Sequence, residues 1–106
     1  MKAIDFEGKH FVMTTFFKPD GTIDFVSLTD KGIRHPLIGE ISGEDGAYGF
    51  SDWLENRLGR SEDIAYDPEY CQFFATAKSE AAGREWVKKA DRVLDNAMQA
   101  YDSLLK

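Results

Sequence analysis

The run from Ser79 to Leu105 constrains this chain more than any other. Val87, Ala90, Leu94, Ala97, Tyr101 and Leu104 recur at alternating intervals of three and four residues, and Trp86, Val93, Met98 and Leu105 widen the stripe. Lys88, Asp91, Asp95, Gln99 and Asp102 fall on the opposite side. This is the period of an α-helix with one apolar face. Ser79 stands where a cap is needed, and Glu80 and Glu85 complement the positive end of the helix dipole. After Gly83 no Gly or Pro interrupts the run. It therefore predicts one helix over 80–105, about 25 residues or roughly 38 Å long. A stripe this wide suits packing on a sheet better than a narrow coiled-coil seam, so the rest of the chain must supply that sheet. A helix so long is expected to overhang a small sheet and offer its last turns to a second copy.

Residues 2–41 read as antiparallel strands. Ile4 and Phe6 alternate with Asp5 and Glu7, and Gly8-Lys9 turns into a strand over His10–Phe17. Phe11, Met13 and Phe17 share one face of that strand, Val12 and Phe16 the other. Lys18-Pro19-Asp20-Gly21 is a strong hairpin signal: Pro pre-sets φ, Asp can bond its own backbone, and Gly takes the left-handed geometry. Thr22–Thr29 returns, with a slip between Phe25 and Val26 that predicts a bulge or two covered faces. After a turn at Asp30-Lys31-Gly32, Ile33–Ile41 reads as another strand. Because Pro36 lacks an N–H, that strand is expected at a sheet edge, or broken there.

Residues 42–70 differ in kind. From Glu40 to Tyr70 there are nine acids against two bases, a balance of −7, while the rest of the chain carries +1. Tyr48, Phe50, Trp53, Tyr66 and Tyr70 lie among them. Ser42-Gly43-Glu44-Asp45-Gly46 has loop composition. Ser51 is placed to cap a short helix, Asp52–Leu58, which Gly59 ends. Residues 61–69 read as irregular, with a turn at Asp67-Pro68. A further strand over 71–78 would put Cys71, Phe73, Ala75 and Ala77 on one side. The expected fold is thus α+β: an antiparallel meander of four or five strands, a short helix, a further strand, and the long C-terminal helix on one sheet face. The stretch Gln72 to Val87, with its strand, Ser79-Glu80 helix start and Trp86, resembles the last strand and C-terminal helix of pleckstrin-homology domains. The resemblance implies a Trp packed into a barrel. It carries no phosphoinositide site, since Lys18-Pro19-Asp20-Gly21 offers one base where those domains have a basic loop.

With 106 residues, 42% apolar and 13% aromatic, the chain can fold as one domain over 1–106 without disulfides or metal. A lone Cys71 forms no internal disulfide or Cys-based zinc site, and is expected to pack as a small apolar group. No cationic start leads into an apolar run. The expectation is a reduced, soluble, cytoplasmic protein without cofactor. A net charge of −6 argues against binding nucleic acid or anionic membranes.

His10 and His35 belong to no spaced ligand motif and read as surface or half-buried imidazoles. The acid pairs Glu44-Asp45, Glu62-Asp63 and Asp67/Glu69 read as a solvated face, because Gly, Ser and Pro surround them. A calcium loop fails, since Asp45 falls where the glycine should be. There is no phosphate loop, dinucleotide fingerprint or nucleophile elbow, which points away from an enzyme. The acidic aromatic segment is the candidate contact surface, with Glu44, Asp45, Tyr48, Glu62, Asp63 and Tyr66 as contact residues for a basic protein partner. Tyr48, between Gly46 and Gly49, has no apolar sequence neighbours to bury it. A ligand pocket between the long helix and the sheet, and a small enzyme using Glu, Asp or His, are the alternatives. A homodimer through the overhanging helix or the Pro36 edge is compatible with all three.

Overall fold

The computed structural model describes residues 2–105. Strands β1 (Lys2–Glu7), β2 (Phe11–Phe17), β3 (Ile23–Asp30), β4 (Ile64–Tyr66) and β5 (Phe74–Ala77) form one antiparallel sheet in the order β1-β2-β3-β5-β4. Helices α1 (Pro36–Ser42) and α2 (Ala47–Leu58) are joined by a 3-10 turn at Gly43–Asp45, and α3 (Glu80–Leu104) closes the chain. The architecture is the α+β fold that the hydrophobic periods predict.

Tight turns build the first three strands. Gly8 N–H donates to Phe11 O at 2.8 Å, and Lys18 N–H to Thr22 O at 2.7 Å. At the second turn the Asp20 carboxylate accepts from the Thr22 hydroxyl and N–H, bonds that hold its pKa below the usual carboxylate range. Gly21 takes a φ of 88° there, a conformation that favours glycine. The ladder passes from Phe16↔Phe25 to Phe17↔Ile23, leaving Asp24 as the extra residue. The bulge thus falls just before the expected slip at Phe25 and Val26.

Alternation along the strands sends Phe11, Met13, Val26, Leu28 and Ala75 to the helix side, where they are buried with Phe73. Phe50 and Leu54 of α2 and Trp86, Val87, Ala90 and Leu94 of α3 complete the core. Phe11 lies at its centre, edge-on to Phe73 and Trp86 with ring centroids 5.8 and 5.0 Å away. Helix and sheet approach so closely at Gly83 that a Cβ there would collide with the Met13 sulfur. That contact accounts for a glycine inside a helix, where it costs about 1 kcal/mol against alanine. Trp86 is buried against the sheet, but that sheet is open and five-stranded rather than the barrel that the local resemblance implies.

Four expectations need correction. Residues 33–41 do not form an edge strand. Pro36 starts α1, where its fixed φ suits the first helical turn, and the His35 side chain caps it by accepting Leu37 N–H at 3.1 Å. Helix α2 begins at Ala47, not Asp52, so Tyr48 is helical and Ser51 is buried inside it rather than capping it. Residues 61–69 contain the short edge strand β4. The strand expected over 71–78 is confined to Phe74–Ala77, which leaves Cys71 exposed before it instead of packed as a small apolar group.

Candidate functional site

Helix α2 organises the acidic segment by separating its two acid pairs. Gly46, with φ of 59°, precedes the helix, and a Cβ there would collide with the Tyr70 carbonyl. Ala47 N–H donates to that same carbonyl at 2.9 Å. The Tyr70 hydroxyl donates to Glu44 O at 3.2 Å, and the rings of Tyr48 and Tyr70 lie 6.5 Å apart. Glu44, Asp45 and Tyr48 therefore gather with Tyr70 at the start of α2. Tyr48 is 46% exposed although helical.

At the other end, Leu58 and Gly59 meet Asp63 and Tyr66 beside Trp86. Glu62 and Asp63 are exposed, whereas Tyr66 is half-buried and its hydroxyl accepts from Trp86 Nε1 at 2.8 Å. Burial pushes the Tyr66 pKa up, opposed by the Trp86 bond. Tyr66 therefore supports this end from beneath. The crevice beside it holds about 100 Å³, well below the roughly 300–1,000 Å³ of ligand sites. The six residues named from the sequence thus form two groups, separated by twelve helical residues or about 18 Å.

These carboxylates are free in a way that others are not. Among the described residues, only Glu55 of the nine acids between Glu40 and Glu69 forms an ion pair, with Arg60 at 4.0 Å. Arg57 lies over the Trp53 ring, 4.6 Å from its centroid. The acids of α3 behave differently. Asp91 accepts Lys9 N–H at 2.7 Å and His10 N–H at 2.9 Å. Asp95 accepts His10 Nε2 at 2.7 Å and Lys9 Nζ at 3.1 Å. The His10 bond, followed by that from Lys9, holds the Asp95 carboxyl below the usual range against the opposing effect of burial.

Asp102 pairs with His35 Nε2 at 3.0 Å. Since His35 Nδ1 accepts Leu37 N–H, the ring proton sits on Nε2 and donates to Asp102. Both ring nitrogens are thus occupied, and the ring also meets Tyr101 edge-on. The turns of α3 expected to overhang the sheet are in part covered by this contact, while Leu104 stays 84% exposed.

By sequence alone Asp91, Asp95 and Asp102 fall opposite the apolar stripe of the helix. Their spacing of four and seven residues, which places them on one side of a helix, was the available signal that they act together. Among the described residues no three of His, Cys, Asp and Glu come together to hold a metal, and no helix is long and apolar enough to cross a membrane. No protein-family model matches the chain, and comparisons with curated proteins and with solved structures give no match either.

Proposed function

We propose that this protein is a non-enzymatic binding module that presents the α2 flank to a basic protein surface, as an antagonist or as an imitation of a nucleic-acid backbone. The observation that carries this reading is the set of exposed carboxylates around α2 without internal ion-pair partners among the described residues. Carboxylates left unpaired keep their full charge for a partner, and complementary charge speeds and orients association. Tyr48 adds an exposed aromatic beside Glu44 and Asp45, of the kind enriched at interfaces. The two ends of α2 lie farther apart than the screening length of about 8 Å at 0.15 M salt. They therefore act as two contacts rather than one continuous field. An exposed single Cys71 suits a reducing compartment, and the reading places the protein in the cytoplasm.

The test is capture from host lysate at low and high salt, comparing wild type with a variant carrying Glu44, Asp45, Glu62 and Asp63 as Ser. The expected result is a partner with a basic surface, held by wild type at low salt, released at high salt and lost by the variant. Equal capture by both proteins, or none by either, would show that the flank is only a solvated face.

A further inference from the structure

Away from the acidic flank, Lys9, His10, Lys31, Arg34 and His35 line one open cleft of about 380 Å³, with Ile33 and Met98 as its apolar lining. In a chain of net charge −6, no acid among the described residues lines this cleft. The nearby acids are already engaged. Asp91 is bonded to backbone N–H groups of the β1–β2 turn, Asp95 to His10 and Lys9, and Asp102 to His35. Glu7 approaches Lys31 at 3.6 Å. These bonds fix the turn and both imidazoles, so the cleft is held by α3 rather than left to loop motion.

Arg34 is exposed, and its side chain makes no hydrogen bond or ion pair among the described residues. His35 contributes a wall, because both its ring nitrogens are occupied. Lys9 is held by Asp95 at 3.1 Å, and Lys31 by Glu7 at 3.6 Å and the Gly8 carbonyl at 3.3 Å. Arg34 is therefore the free cation of the cleft among the described residues. A planar guanidinium beside two ammonium groups is a side-chain set that recognises phosphate oxygens. The volume lies near the lower end of ligand sites, about 300–1,000 Å³, which suits a small molecule better than a nucleotide. Ile33 and Met98 give a short organic portion something to rest on.

We propose that this cleft binds the phosphate group of a small phosphomonoester. The site is separate from the α2 flank, so its failure leaves the binding-module reading intact. The experiment is a heteronuclear NMR titration of the full chain with inorganic phosphate, with monoethyl phosphate, and with sodium chloride at matched ionic strength. The expected result is saturable shifts at residues 9–10 and 31–35 with both phosphates and not with chloride. Monoethyl phosphate should also move the Ile33 and Met98 methyl signals. Arg34→Ala, at an exposed position, should weaken binding by about ten- to a hundredfold, the loss expected for a charge-assisted hydrogen bond. Shifts that chloride reproduces, that centre elsewhere, or that survive Arg34→Ala and Lys31→Ala unchanged would overturn the proposal.

Discussion

Along α3, Asp91 accepts two backbone N–H groups, Asp95 binds His10 and Lys9, and Asp102 binds His35. Around α2, the carboxylates of Glu44, Asp45, Glu62 and Asp63 make no ion pair among the described residues. The α3 group is three Asp on a regular helix, and the α2 group is Glu and Asp in the turns before α2 and before β4. What separates them is whether the fold brings a donor to the carboxylate. The acids of α3 meet the β1–β2 turn and the segment leading into α1, because the helix runs past the end of the sheet. Of those around α2, Glu62 and Asp63 precede the three-residue edge strand β4, and Glu44 and Asp45 lie in the turn before the helix. Among the described residues no cationic side chain reaches their carboxylates there. Charge that stabilises a fold and charge left for a partner are therefore distinguished by tertiary geometry, not by composition.

Substitutions can break this contrast, beginning with the apolar face of α3, which sets the scale. Leu94 is fully buried, and Leu94→Ala should cost about 2–5 kcal/mol by urea unfolding; a loss below about 1 would mean that the stripe is not packed as described. On the flank of the same helix that meets the β1–β2 turn, Asp91→Ala strands two N–H donors, one of them part-buried. It should cost about 1.5–3 kcal/mol, as for hydrogen bonds to a charged group. A loss within about 0.5 would place Asp91 with the free acids.

Asp95 gives a smaller effect with a pH signature. Its folded pKa is lowered, so its contribution is present above the unfolded carboxyl value of about 3.9. That contribution is lost as pH falls through the folded value. Asp95→Asn should therefore flatten the acid limb of the stability profile below about pH 4, and an unchanged limb would show that the His10 bond does not survive in solution. Tyr48→Ala should change stability by no more than about 0.5 kcal/mol, since nearly half of the residue is exposed and it lies outside the buried core. A change several times larger would assign Tyr48 to the core.

Much of the framework is legible in the chain itself. The three-and-four spacing of α3, the Lys18–Gly21 hairpin and the Ser79 cap each depend on neighbours within a few residues, and sequence displays such relations directly. The features that escape it depend on distant groups. Helix α1 is hidden because its cap is the His35 imidazole, outside the usual Ser, Thr, Asp and Asn set. Pro36 can open a helix as readily as it can interrupt a strand. The start of α2 is hidden because Gly46 and Gly49 suggest a loop. Both serve close packing instead: the Tyr70 carbonyl crowds Gly46, and the Ser42 carbonyl lies 2.6 Å from where a Gly49 Cβ would stand. The candidate contact residues were legible as an acidic aromatic segment, while their division into two groups by α2 was not. Nor was the basic cleft, which draws Lys9 and His10 together with residues 31–35 across two turns.

The most direct test is paired urea unfolding at neutral pH of Asp91→Ala and of the variant with Glu44, Asp45, Glu62 and Asp63 as Ser. If the two sets of acids differ as described, the single α3 substitution loses about 2 kcal/mol, while all four flank substitutions together stay within about 0.5 of wild type. A four-site variant that loses as much as Asp91→Ala would contradict the division, because those carboxylates would then be holding the fold together.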